Sequence, residues 1–72
     1  MVTKAEAMAA THGTIFHHVT AKNADGTPRR VRVTGQCKVW KTRPGEWRLP
    51  VKHGLRQSLA ITHWNARDWE LP

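Results

Sequence analysis

Between Arg29 and Lys52 the chain alternates apolar side chains with cations and small polar ones, the two-residue period of a strand with one face buried and one in water. Arg30, Arg32 and Thr34 fall on one side of such a strand, with Val31 and Val33 on the other. The run Gln36 to Thr42 sets Cys37 and Val39 against Lys38, Trp40 and Thr42. Trp47, Leu49 and Val51 then alternate with Arg48, Pro50 and Lys52. Because Pro50 has no N–H to give a ladder, it belongs at an edge or a bulge.

Turn formers divide these runs. Asn23-Ala24-Asp25-Gly26-Thr27-Pro28 predicts a hairpin loop, with Gly26 free to take positive φ and Pro28 fixing φ at the exit. Gly35 marks the next turn, and Arg43-Pro44-Gly45-Glu46 has the proline and glycine placement of a type II turn. Upstream, Thr14 to Thr20 is rich in β-branched and aromatic residues and reads as a strand; downstream, Ser58 to Ile61 reads as a short one. Thr3-Lys4-Ala5-Glu6 has the form of a capping box, followed by helix-favouring alanines, Met8 as an apolar anchor, and Gly13 to end the helix. Thr62 resembles an N-cap for a helical turn through Trp64, Asn65, Ala66 and Trp69.

The whole is predicted as mainly β (α+β). It is a small five-stranded curled sheet or an SH3-like or OB-like barrel over 14–61, with a helix over 3–12 and a helical turn over 62–70. The 72 residues make a single domain, 1–72, because a chain this short hides only about 60% of its unfolded surface and cannot support two cores.

Charge is distributed unevenly. Of the 12 Lys and Arg only Lys4 and Lys22 precede Arg29, whereas Glu46 is the sole acid between Arg29 and Arg67. With the valines and Leu49 turned inward, the pleat puts Arg30, Arg32, Lys38, Arg48 and Lys52 on the opposite face, with Trp40 among them. A cationic surface carrying an aromatic ring suits single-stranded nucleic acid or RNA: the charges track phosphates, and the ring stacks a base. Lys41 and Arg43, beside Trp40, complete the candidate set. The alternative is a solvated face with Trp40 folded over into a second small core.

Other chemistries find less support. Trp47, Trp64 and Trp69 are predicted as core, since large rings bury the most area per residue. The five histidines and Cys37 lack metal-ligand spacing, and His17 and His18 point to opposite strand faces, one of them half-buried. Cys37 reads as a small buried hydrophobe rather than a nucleophile. One acid in the basic segment is too thin a supply for metal-dependent nuclease chemistry, so no enzyme, cofactor or small-molecule substrate is expected. A lone cysteine forms no internal disulfide, no apolar run approaches the ~18 residues of a membrane span, and the first ten residues carry charges where a signal peptide needs an apolar stretch. A cytoplasmic protein without a membrane partner is the expectation.

The stretches Gly35-Gln-Cys-Lys-Val-Trp-Lys-Thr-Arg-Pro, Trp47-Arg-Leu-Pro-Val-Lys-His-Gly-Leu and Ile61-Thr-His-Trp-Asn-Ala-Arg-Asp-Trp, with residues 19–28 upstream, resemble a group of small proteins from tailed bacteriophages and related mobile elements. The resemblance spans about residues 14–69 and implies a phage context, hence the host cytoplasm, and no catalytic residue. A weaker likeness joins 50–71 to the wing and last helix of excisionase-type winged helices, but the N-terminal half lacks a helix-turn-helix pattern. The functional expectation is a basic nucleic-acid-binding protein. Its alternative is a phage effector that docks an acidic host protein through the same surface, and a third reading is a structural accessory of a virion or nucleoprotein particle.

Overall fold

A computed structural model describes residues 1–54 and 57–72. Arg56, one of the cations of the basic segment, lies outside them, as does Leu55. The elements are α1 (Lys4–Ala9), β1 (Ile15–Lys22), β2 (Pro28–Val33), β3 (Lys38–Trp40), β4 (Arg43–His53), β5 (Gln57–Thr62), a single 3-10 turn (Ala66–Asp68) and β6 (Trp69–Glu70). The fold is mainly β, a six-stranded antiparallel sheet with one short helix.

β4 organises the sheet. One of its edges carries β5 along 48–53, while the other carries β3 and then β2, which leads on to β1 and β6. The sheet does not close: no pairing joins β5 to β6 among the described residues, so the barrel expected from the strand spacing gives way to an open sheet. Extents of 43 × 22 × 17 Å fit that elongated form.

The alternation read from the sequence orders the core. Phe16, Val31, Val33, Trp47, Leu49, Val51 and Ile61 are buried on one sheet face. Val2 and Ala7 of the N-terminal arm cover them together with Ala66, and the Val2 N–H donates to the Ala66 carbonyl at 2.9 Å. The capping box forms: the Glu6 N–H donates to Thr3 Oγ1 at 3.1 Å, and the Thr3 N–H donates to Glu6 Oε1 at 2.9 Å.

The helix is shorter than 3–12. It stops at Ala9 with an extended cap at Ala10, and Gly13 (φ 96°) serves the following turn, its N–H donating to the Val33 carbonyl. Ala7 is the residue that anchors it, and Met8 is exposed. A six-residue helix has room for one inward side chain per turn, and here the small one fits closest to the sheet.

Two bulges explain where the strands differ from expectation. Between the pairs His17↔Arg30 and Lys22↔Pro28, β1 advances five residues while β2 advances two. The backbone N–H groups of Thr20 and Ala21 in this excess both donate to His18 Nδ1, at 3.2 and 2.8 Å. A backbone N–H can only donate, so Nδ1 is the acceptor nitrogen and His18 carries its proton on Nε2. In β4 the bulge falls at Pro44-Gly45-Glu46, between Val39↔Trp47 and Trp40↔Arg43. The reversal itself is at Lys41-Thr42, so the predicted type II turn at Arg43–Glu46 does not form, and Gly45 is not among the positive-φ glycines. A proline and a glycine suit a bulge for the same reasons they suit a turn: one lacks a ladder donor, and the other bends freely.

Pro50 sits inside the central strand rather than at an edge. Its carbonyl accepts the Thr34 N–H at 3.0 Å, so its nitrogen faces the same side, the gap where β2 ends and β3 has not begun. No ladder donor is missed there. At the C-terminus the predicted helical turn shrinks to Ala66–Asp68, and Trp69 leaves it to pair with His18 across the β6–β1 ladder.

Candidate functional site

Partners directly opposite in an antiparallel sheet point to the same face, so the pairing register fixes where each cation stands. Arg32 is opposite Lys52 and also opposite Ile15, and Lys52 is opposite Ser58; these make one row across four strands. Lys38, Arg48 and Thr62 make a second row. Arg30 stands opposite His17, which pairs on its other side with Glu70. Between these positions along the strands lie the buried Val31, Val33, Leu49 and Val51, which point the other way. Arg30, Arg32, Lys38, Arg48 and Lys52 therefore share the solvent face of the sheet, all of them exposed.

At about 3.3 Å per residue, the Lys38–Arg48 row and the Arg32–Lys52 row are about 13 Å apart, with Arg30 about 7 Å further on. Pro50 and Ala60 lie between the rows. A shallow groove of about 420 Å3 runs along the far end, lined by Ile15, Arg30, Val31, Arg32, Lys52 and Gly54. Among the described residues the one ion pair is Arg43 with Glu46, 3.1 Å apart, so none of the five face cations is held in an ion pair, although Glu70 stands in the Arg30 row beyond His17.

Trp40 is at the near end. It is 38% exposed, two residues beyond Lys38 on β3, and the Arg43 guanidinium lies 5.9 Å from its ring centroid. Lys41 is exposed in the two-residue turn that follows. Arg43 is divided between Glu46 and the indole, which leaves it a weaker anion donor than the five on the face. Lys4 reaches the outside of the same bulge, its Nζ donating to the Pro44 carbonyl at 2.6 Å.

Several side chains assigned to the core are elsewhere. Trp47 is buried at 4% exposure and Trp69 is half-buried with its ring edge-on to His18, but Trp64 is exposed at 79%. Val39 is 46% exposed although it alternates correctly, because β3 is a three-residue edge strand with nothing over it. Both histidines of the pair are half-buried, His17 on the cationic side and His18 against Trp69. Ile15 and His17 belong to the cationic face and were legible there, since Phe16 between them is the bulkiest apolar residue of that strand.

Cys37 is half-buried, and this burial pushes its thiol pKa up, away from the thiolate a nucleophile needs. Among the described residues no three His, Cys, Asp or Glu side chains converge as a metal centre would require, and no helix is long and apolar enough to cross a membrane.

The class these features define is an open antiparallel sheet with one apolar face covered by the chain termini and one cationic face left bare. No family model, no curated protein and no solved structure matches the chain.

Proposed function

We propose that this protein binds single-stranded nucleic acid, RNA included, along the solvent face of its sheet. Arg30, Arg32, Lys38, Arg48 and Lys52 take phosphates, Trp40 stacks a base, and Lys41 and Arg43 add to the field at the turn. The observation that carries this reading is the register. Arg32 faces Lys52 and Lys38 faces Arg48 directly across the ladder, with no acid between them. Like charges so placed destabilise a sheet by about 0.2–1 kcal/mol per pair. A polyanion laid along the rows removes that repulsion, whereas a face that merely keeps a protein in solution is served as well by mixed signs.

The cationic track, about 20 Å long at ~3.3 Å per residue, suits the short end of single-strand site sizes, about 4 nucleotides. On the resemblance to tailed-phage proteins, the setting is an infected bacterial cytoplasm.

Fluorescence anisotropy on mixed-sequence oligonucleotides over a range of salt tests the reading. Five neutralised phosphates give a log–log salt slope of about −3.5 for a single strand. A flat salt response, or preference for a host protein that survives nuclease treatment in a pull-down, replaces nucleic acid with a protein partner.

A further inference from the structure

Trp64 has the largest exposure of any large apolar residue among those described, 79%. A small domain gains most by burying its indoles, so one left in water is a departure that its position can explain. Thr62 stands opposite Arg48 and Arg48 opposite Lys38, which turns the Thr62 side chain to the cationic face. The Trp64 N–H donates to Thr62 Oγ1 at 3.2 Å, so the turn folds toward that face.

The turn is also held from below. Asn65 Oδ1 accepts the Thr62 N–H at 2.8 Å, and the Trp47 N–H donates to His63 Nδ1 at 3.4 Å. The His63 ring lies beside the Trp64 indole, centroids 5.1 Å apart, and narrows the rotamers open to it. Trp64 is thus exposed on a braced turn. Trp40 ends β3 two residues past Lys38, and Trp64 lies in the turn that follows Thr62 of β5, so both indoles belong to the same end of the Lys38–Arg48–Thr62 row, on opposite sides of β4.

We propose that Trp64 is a second base-stacking platform, which with Trp40 grips two bases of a single strand at the end of the sheet where the Lys38–Arg48 row holds the intervening phosphates. The backbone then continues over Arg32 and Lys52 toward Arg30. This rests on the nucleic-acid reading above and adds to it a residue that the alternation does not reach. It also sets a polarity on the face, bases gripped at the β3–β4 turn and phosphates alone held at the groove.

The test compares two fluorescein-labelled probes of equal length, an oligothymidylate and its abasic deoxyribose-phosphate counterpart, by anisotropy. Trp64→Ala removes an exposed ring, and unchanged thermal unfolding certifies the fold. The substitution is expected to weaken thymidylate binding by about 5- to 150-fold while leaving the abasic probe within about twofold, with Trp64→Phe restoring most of the loss. An unchanged thymidylate affinity, or an equal loss on both probes, overturns the role given to Trp64 and leaves the cationic face standing. Failure of the unsubstituted protein to bind either probe overturns both readings.

Discussion

Leu49 has no exposed surface and lies in β4, the strand with neighbours along both edges, so its side chain meets the core from every direction. Truncation there leaves a hole that an open sheet with one thin cover cannot refill. Leu49→Ala is expected to cost about 2–5 kcal/mol. At roughly 0.05–0.15 kcal/mol per residue the whole chain holds only ~4–11 kcal/mol, so the urea midpoint should fall by about a fifth or more. Cys37 illustrates a different residue-scale effect. Because burial raises its thiol pKa, the thiolate fraction at neutral pH is smaller than that of an unhindered cysteine, and alkylation by iodoacetamide should run slower than for a cysteine-containing peptide at the same pH. Asp25 shifts the opposite way, since the Thr27 hydroxyl and N–H both donate to its carboxylate and hold its pKa below the ordinary 3.8. A depressed carboxyl contributes its stabilisation above the ordinary value and loses it as pH falls through the lowered one. The Thr27 amide proton in an NMR titration should therefore move with a midpoint below 3.8.

At the scale of elements, the free edge of β5 shows how an open sheet is kept from growing. The Pro50 carbonyl points to the β2 side, so Ala60 and Thr62 turn their backbone groups away from β4 and toward solvent. Asn65 covers both of them, its Nδ2 donating to the Ala60 carbonyl at 3.2 Å and its Oδ1 accepting the Thr62 N–H, as a seventh strand would. β5 itself has no charge or proline to discourage pairing. Asn65→Ala is expected to cost about 1–2 kcal/mol through the two unpaired groups and to make sedimentation concentration-dependent as edges meet. Nothing in the alternation announces this cap. Periodicity located β2, the second half of β4 and the buried valines because a two-residue period is set by the pleat alone. It misjudged Val39 and Trp64, whose exposure depends on what lies above a strand or turn, and it mistook the Pro44-Gly45 bulge for a reversal because the same residue chemistry serves both. The barrel expectation failed for a related reason: closure depends on whether the strands at the two edges of the sheet meet, and among the described residues the two-residue β6 at one edge pairs only with β1, while β5 at the other pairs only with β4.

For the molecule as a whole, the two faces of the sheet impose opposite demands. The apolar face gains stability with every contact, while the cationic face gives some of it up by holding Arg32 against Lys52 and Lys38 against Arg48. A charge reversal on one member of a pair separates the two demands in a single variant. Lys52→Glu turns repulsion with Arg32 into attraction, a change on the order of 1 kcal/mol when both signs of a cross-strand pair are counted. For a domain of this length that corresponds to a rise of about 4–8 °C in Tm. The same substitution takes a cation from the middle of the track and sets an anion beside the groove, so single-strand affinity should fall at least about tenfold and the log–log salt slope should shrink by about 0.7. Both quantities can be measured on one preparation, by calorimetry and by anisotropy. A higher Tm with unchanged affinity would mean that the cations are a solvated surface and nothing more. A higher Tm with lost affinity is the outcome expected of a face whose charges are kept, against the interest of the fold, for a polyanion to neutralise.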